Sequence, residues 1–266
     1  MKNVQLLLID CQNDFASSND AYKGSLFVPG ADKDMERLSD FINKNNAKID
    51  GINLTLDTHR PNQIFHPSFW INPKIEHPKP FTVISVKDIE DGVWQAENPN
   101  YHRRALRYVK ALAEKPLIIW PYHALEGSVG QALVPCISEA ITKWEIDQIG
   151  NAKFFYKGDC IFTERYGALE SEVPASEEND TLKRNLLKIC KRCTTLIIGG
   201  EALSHCVKAT CEQLIKALGD KFIKKMVLLK DCCSNVGTYE KQGDDFIKDM
   251  IERGVRVVTS TEVNID

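Results

Sequence analysis

Short apolar runs alternate along the chain with segments of helical periodicity. The runs predict buried strands at 4–9, 52–56, 116–120, 153–156, 194–198, 226–229 and 255–258. The amphipathic segments predict helices at 32–48, 101–114, 130–144, 181–190, 206–218 and 239–253. Strands that alternate with helices predict an α/β fold with a doubly wound, mostly parallel sheet and helices on both of its faces.

Two connections are longer than such a fold needs. One is rich in proline, histidine and asparagine and covers about 60–100, and the other is a charged stretch at about 165–180. Structureless loops beyond about 12–15 residues are uncommon, so the first is interpreted as functional or as a lid. Repeats, low-complexity segments and breaks in composition are absent, which predicts one domain over 1–266.

Composition narrows the range of partners. The chain has 266 residues, a formal net charge of -3 and scattered charges, which favours a small-molecule substrate over nucleic acid or an anionic membrane. Neither a signal-like leader nor an apolar stretch of about 18 residues is present. The nine cysteines include the adjacent pair Cys232-Cys233 and do not form an even disulfide pattern, so we expect a reducing cytoplasm.

Polar residues with catalytic or ligating chemistry follow several of the predicted strands. In open α/β sheets, ligands bind beyond the carboxyl ends of the strands, so these residues are expected at one edge. They are Asp10, Asp57, His59, His123, Lys157 and Cys206.

Cys206 is the candidate nucleophile. It follows the Gly199-Gly200 pair and opens a predicted helix, where the helix dipole favours the thiolate and free N–H groups can receive an oxyanion. A buried cysteine that packs as a small hydrophobe would occupy the same position. The position alone leaves both interpretations open.

The pair Asp57 and His59 is a candidate metal motif. On an extended segment, residues two apart point to the same side, and His123 would complete a facial set of one carboxylate and two histidines. The alternative is a set of hydrogen-bonded loop histidines. Cys190 and Cys193 have CxxC spacing but no second pair or histidine at zinc-site distance, so packing or capping is favoured there.

Six segments together resemble the nicotinamidase and isochorismatase-like cysteine hydrolase superfamily. They occur in the family's order over nearly the whole chain: LIDCQNDF at 8–15, GSLFVPGA at 24–31, DTH at 57–59, WPYH at 120–123, YKG at 156–158 and GEALSHCVKAT at 200–210. The chain departs from the family at Pro61-Asn62-Gln63, where nicotinamidases commonly carry a further histidine. It also has Thr58 and Ala124 where tryptophan and cysteine are usual.

The resemblance implies an isochorismatase-like fold, a Rossmann-like three-layer sandwich, with a catalytic triad of Cys206, Asp10 and Lys157. It also implies a cis peptide between Glu201 and Ala202, and an oxyanion hole formed by the N–H groups of Ala202 and Cys206.

The same resemblance implies a divalent metal on Asp57, His59 and His123, zinc first, with manganese or iron as alternatives. The implied activity is hydrolysis of a small amide through a thioester, with conversion of nicotinamide to nicotinate and ammonia as the first expectation. A homo-oligomer is also expected.

Further candidates for contact with the substrate or for support of the metal ligands are Phe15, Gln63, His66, Trp70 and Tyr166. Three alternative functions stay open. An isochorismatase-type vinyl-ether hydrolase would not need Cys206, and a catalytically silent binding module would need none of the triad. A metal oxygenase would use only Asp57, His59 and His123.

Overall fold

A six-stranded parallel sheet forms the centre of the protein. The computed structural model describes residues 2–113, 115–178 and 180–265. The strands are β1 (Val4–Ile9), β2 (Gly51–Asp57), β3 (Lys153–Lys157), β4 (Thr195–Gly200), β5 (Met226–Leu229) and β6 (Arg256–Val258). Their order is β6-β5-β4-β1-β2-β3, and every adjacent pair is parallel.

The main helices are α1 (Ala31–Lys44), α2 (His102–Ala111), α3 (Pro135–Gln148), α4 (Thr181–Arg192), α5 (Lys208–Leu218) and α6 (Glu240–Arg253). They divide between the two faces of the sheet, as β1 shows. Leu6 and Leu8 belong to a core that contains α1, α2 and α3, whereas Leu7 and Ile9 belong to a core that contains α4, α5 and α6. Burial on both faces explains why β1 is apolar at almost every position. The predicted doubly wound α/β fold is confirmed, and the single domain over 1–266 stays a prediction.

The predicted strand at 116–120 is wrong in extent and in place. Only Leu117–Ile118 is a strand, and it pairs antiparallel with Val83–Ile84 outside the central sheet. The Ile119 N–H donates to Thr82 O, and Ile119 O accepts from the Phe81 N–H, so the long connection supplies the backbone partners of this segment.

That connection is also not structureless. It contains a ribbon of Trp70–Ile71 with Gln95–Ala96 and a short α-helix at Val86–Glu90. Local pairing satisfies backbone groups that a buried loop would leave unpaired.

The helix predicted at 130–144 begins at Pro135 instead. Residues 130–134 form a turn and a bend that pack along the segment after β1. Gly130 O and Ala132 O accept from the N–H groups of Asp14 and Asn13, and the Val134 N–H donates to Cys11 O. Tertiary backbone bonds therefore replace the first helical turn.

The remaining elements are short. They are the α-helical turns Asn13–Ala16 and Asp220–Ile223, the ribbon Ser18–Asn19 with Tyr22–Lys23, the π-helix Leu203–Val207, and the 3₁₀ turns Asn46–Lys48, Pro67–Phe69, Pro99–Tyr101 and Lys230–Cys232. Among the helices in the described ranges, none has the length and apolar character needed to cross a membrane.

A substitution at Gly200, the last residue of β4, would test the backbone geometry at the end of that strand. Its φ is +122°, and a Cβ built there would lie 2.1 Å from Ile9 O. We expect Gly200→Ala to lower the free energy of unfolding by at least about 2 kcal/mol, because both the backbone conformation and the space exclude a methyl group. Denaturant titration would measure the loss. Gly237→Ala, where nothing lies within 4 Å of the added Cβ, is the control, and equal stability of the two variants would contradict the expectation.

Candidate active site

The buried ammonium of Lys157, the last residue of β3, is the centre of the site. Its Nζ lies 2.9 Å from Asp10 Oδ2 and 2.5 Å from Asp57 Oδ1, and it donates to Cys206 Sγ at 3.7 Å. A further hydrogen bond reaches Arg165 O at 3.1 Å. The three residues of the predicted triad, Cys206, Asp10 and Lys157, therefore lie together with Asp57 of the predicted metal set.

Parallel strand register brings these residues together. Asp57 and Lys157 are paired positions at the ends of β2 and β3. Asp10 follows β1 with a φ of 47°, and its Oδ1 accepts from Thr55 Oγ1 at 2.7 Å. Cys206 lies in the π-helical turn that follows β4. The four residues thus come from four adjacent strands of the sheet.

Burial sets the protonation states of this group. It raises the pKa of Asp10, and the Lys157 charge offsets this only in part. Burial would lower the pKa of Lys157, but Asp10 and Asp57 outweigh it, so Lys157 stays an ammonium. Burial also raises the pKa of Cys206 well above its ordinary value, and the two carboxylates add to the effect. Burial therefore outweighs the helix-end argument for a resting thiolate and favours the protonated thiol.

Hydrogen bonds to several segments hold the backbone of the turn that precedes Cys206. The peptide bond between Glu201 and Ala202 is cis. The Glu201 N–H donates to Ile9 O, and the Leu203 N–H donates to Ser234 O. The Ala202 O accepts from two later N–H groups of the turn, whereas the Ala202 N–H donates to no other group in the described part of the chain. This N–H is available to a substrate oxygen.

Asp57, His59 and His123 form a buried cluster whose ligand atoms lie within 4.8 Å of one another. His59 Nδ1 bonds to Gly158 O at 2.9 Å and His123 Nδ1 bonds to Pro121 O at 2.8 Å, which leaves both Nε2 atoms for a ligand. His59 Nε2 is buried without a hydrogen bond, although Asp57 Oδ2 lies 3.4 Å away. Two oriented imidazoles and a carboxylate fit a divalent metal.

His66 faces the same cluster. Its ring centroid lies 5.8 Å from that of His59 and 5.6 Å from that of His123. Its Nδ1 bonds to Arg60 O, and its Nε2 has no hydrogen-bond partner among the residues that the structure describes. Burial lowers its pKa to about 2, which favours the neutral imidazole. A neutral imidazole thus lies beside the cluster, although His66 is not one of the three residues whose ligand atoms lie within 4.8 Å of one another.

Gln63 and Trp70 have different places. Gln63 donates to Gly158 O at 2.6 Å, the same carbonyl that orients His59, and to Cys160 O at 2.9 Å. It therefore supports a metal ligand through the loop. Trp70 is fully buried, donates to Ile64 O and does not line the cavity over Cys206, so its place is in the core.

A small cavity opens over Cys206. Its lining residues are Phe15, Leu26, Asp57, Trp120, His123, Glu164, Tyr166, Ala202, His205, Cys206 and Val236. The Trp120 indole donates to Tyr166 Oη at 3.0 Å, and the His205 ring packs edge-on against both. Aromatic walls close to the thiol of Cys206 fit a small planar ligand.

Sequence reasoning missed several residues of the site. Gln12 exchanges two hydrogen bonds with the Asp57 backbone, and Asp14 accepts from the N–H groups of Ser25 and Ala124, which fixes the segment after His123. Both residues lie in the motif at 8–15, which could have identified them from the sequence. Glu164, whose pKa burial raises to about 7, had no such signal.

Solved structures share this architecture along almost the whole chain. The yeast nicotinamidase bound to the inhibitor nicotinaldehyde has a TM-score of 0.67 at 20% identity, with 96% of this chain and 99% of that chain covered. A pyrazinamidase of Pyrococcus horikoshii in complex with zinc has a TM-score of 0.57 at 19% identity, with coverage of 97% and 99%. An isochorismatase-like hydrolase from Alkaliphilus metalliredigens has a TM-score of 0.55 at 14% identity, with coverage of 98% and 96%.

The chain therefore has the isochorismatase-like hydrolase fold, and the structural resemblance predicted from the sequence is confirmed. Within that fold, nicotinamidases and pyrazinamidases are among its structural neighbours. Neither a protein-family model nor a curated protein matches the sequence itself.

The Lys157 ion pairs give a stability test. We expect Lys157→Met to lower the free energy of unfolding by about 3–5 kcal/mol, because it leaves Asp10 and Asp57 buried without their cation. Lys153→Met, on the exposed start of the same strand, is the matched control. A loss no larger than in the control, measured by urea denaturation, would contradict the buried ion pairs.

The histidine cluster gives a binding test. We expect the metal-free protein to bind about one zinc ion per chain, measured by calorimetry and by elemental analysis after dialysis. His123→Ala should weaken binding by at least about 100-fold, since it removes a ligand. His77→Ala, which removes an exposed histidine of the long connection, should leave the affinity unchanged. Equal zinc affinity of the two variants would rule out this set of ligands.

Proposed function

We propose that this protein is a cysteine hydrolase that cleaves a small aromatic carboxamide, with nicotinamide as the first substrate to test. The observation that carries the proposal is the position of Lys157, which contacts Asp10, Asp57 and Cys206 together beneath a cavity with aromatic walls. An ammonium between a thiol and a carboxylate stabilises the negative charge that moves from one to the other during proton transfer.

The proposed reaction begins with proton transfer from Cys206 to Asp10 as the sulfur attacks the amide carbonyl. The raised pKa of Asp10 makes its carboxylate a suitable base, and Lys157 stays charged throughout. The carbonyl oxygen becomes an oxyanion and accepts hydrogen bonds from the N–H groups of Ala202 and Cys206.

Collapse of this intermediate releases ammonia and leaves a thioester on Cys206. Asp10 gives its proton to the leaving nitrogen, which returns the carboxylate to the charged state. Water then attacks the thioester and Asp10 takes a proton from it. The carboxylic product leaves as Asp10 returns this proton to the sulfur, which restores the thiol of Cys206 and the Asp10 carboxylate, so the cycle consumes one water for each amide.

Asp57, His59 and His123 would hold the metal in this scheme. A bound divalent metal would orient the substrate or a water through a coordination bond. The protein's own contribution is to fix both imidazoles through Gly158 O and Pro121 O and to hold Asp57 through Lys157 and Gln12. Zinc is the first metal to test, since a pyrazinamidase with this fold is described in complex with zinc.

The second candidate is a vinyl-ether hydrolase of the isochorismatase type, which the structural likeness to an isochorismatase-like hydrolase favours. That reaction does not need a thiol. The contacts of Cys206 with Lys157 and the raised pKa of Asp10 support the amidase instead.

The role of Cys206 is tested directly. We expect the protein to release ammonia from nicotinamide and Cys206→Ala to lower kcat/KM by at least about 10³-fold, as loss of a nucleophile should. Nicotinaldehyde should inhibit the unaltered protein by adding to the same sulfur. Cys211→Ala, one of the other buried thiols and absent from the cavity lining, is the control for loss of a cysteine.

Three outcomes separate the candidates. Retained hydrolysis of a vinyl ether in Cys206→Ala would move the assignment to the isochorismatase type. Ammonia release that survives in Cys206→Ala would remove the thiol from the mechanism. Absence of turnover and of a burst over a panel of small amides would leave a binding module.

A further inference from the structure

Two buried carboxyl groups outside the catalytic group lie beneath the turn that carries the nucleophile. Glu201 is the first residue after β4 and is 0% exposed. Asp34 lies in the first half of α1 and is 2% exposed. Charged carboxylates are almost never fully buried unless a partner compensates them, so each needs an account of its hydrogen bonds.

Each carboxyl group has one oxygen with a donor and one without. Glu201 Oε2 accepts from the Ser234 N–H at 3.1 Å, and Asp34 Oδ1 accepts from the guanidinium of Arg37. Glu201 Oε1 and Asp34 Oδ2 have no donor among the described residues. The two side chains are nevertheless within hydrogen-bonding reach of each other.

Two ionised carboxylates cannot satisfy this arrangement, because all of their oxygens are acceptors. A single proton between the two oxygens turns a repulsive contact into a hydrogen bond. It also balances the charge, since a pair with one proton carries -1 and Arg37 supplies the opposite charge.

We propose that Asp34 and Glu201 share one proton, and that the resulting carboxyl–carboxylate hydrogen bond positions the turn 201–206 that holds the nucleophile and the oxyanion donors. Burial raises the pKa of Glu201 well above its ordinary value, and the Asp34 charge raises it further, which agrees with a proton held at neutral pH.

The contacts of Glu201 explain how the pair acts on the turn. Its backbone N–H donates to Ile9 O on β1 at 2.7 Å, and its side chain accepts from Ser234, whose carbonyl accepts from the Leu203 N–H at 2.8 Å. The proposed hydrogen bond between Asp34 and Glu201 attaches the same turn to α1 as well. Ala202 lies between Glu201 and Leu203, so the direction of its free N–H depends on all three attachments.

The other titratable or charged groups around the pair are Arg37 and Asp231, whose backbone O accepts from Arg37 Nε, together with Asp10 and the thiols Cys11, Cys232 and Cys233. Burial raises the pKa of each of these three thiols, which favours their neutral forms, so they add no negative charge beside the pair.

The shared proton should make the folded state less stable as the pH rises. The pKa of Glu201 is higher in the folded than in the unfolded chain, so the folded state binds more protons between these two values. The contribution is complete below the unfolded pKa and is lost as the pH rises through the folded pKa. Asp34→Asn should weaken this dependence, because its amide donates to the Glu201 carboxylate permanently and still accepts from Arg37, while the burial of Glu201 remains.

The first test needs no substrate. Melting temperatures from about pH 5 to about pH 9 are compared for the unaltered protein, Asp34→Asn and the control Asp40→Asn, which removes an exposed charge from the same helix. We expect the unaltered protein and the control to lose stability more steeply with rising pH than Asp34→Asn. In infrared spectra near pH 7, Asp34→Asn should show less neutral carboxylic acid absorption than the unaltered protein, whereas the contribution of Glu164, whose pKa is about 7, is common to both. Parallel melting curves and an unchanged band would overturn proton sharing.

The second test addresses the turn and rests on the proposed amidase function. Asp34→Leu leaves Glu201 Oε1 without a partner, and we expect kcat for nicotinamide to fall by at least about 10-fold with KM within about 2-fold, because oxyanion donors act in the transition state. Asp34→Asn should recover most of that loss.

A kcat in Asp34→Leu equal to that of the unaltered protein would overturn the positioning role. If the unaltered protein hydrolyses no amide, the amidase proposal fails, while the melting and infrared results still decide whether the proton is shared. For the turn, the rate of Cys206 alkylation by iodoacetamide then replaces kcat, and equal rates in Asp34→Leu and the unaltered protein would reject positioning.

Discussion

The buried ammonium of Lys157 is the interaction on which the site depends. A lysine with no exposed side chain is unstable unless negative groups compensate its lost hydration, and here Asp10 and Asp57 do so from neighbouring strands. The same cation also explains how two carboxylates and a thiol can lie together under an apolar cavity. Without it, burial would favour the neutral forms of both carboxyl groups.

Asp57 links the two halves of the site. Its Oδ1 binds Lys157, while its Oδ2 faces His59 in the cluster that fits a metal. Lys157 and the histidines therefore act on one carboxylate, and together they lower its pKa against the opposing effect of burial. A change in one half of the site reaches the other through this side chain. Gln12 fixes the Asp57 backbone, which keeps that shared carboxylate in place.

Two pairs of buried carboxyl groups lie near the carboxyl edge of the parallel sheet, and they differ in what compensates their charge. Asp10 and Asp57 pair with the Lys157 cation, whereas Asp34 and Glu201 lie below the turn that carries Cys206, with the partly exposed Arg37 bonded to Asp34. In both cases the low polarity of the surroundings makes an unpaired charge costly, so the protein supplies either a counterion or, as we propose, a shared proton. Aromatic side chains also line the cavity above Cys206.

The sequence by itself determined the parallel α/β architecture, because strands buried on both faces must be apolar throughout and because polar residues at their carboxyl ends mark a common edge. The order of the motifs was enough to predict which of those residues belong together. Only the tertiary structure decided the antiparallel place of Leu117–Ile118, the start of α3 at Pro135, the approach of His66 and the protonated state of Cys206. Each of these depends on partners and on burial contributed by residues distant along the chain, which local patterns do not encode.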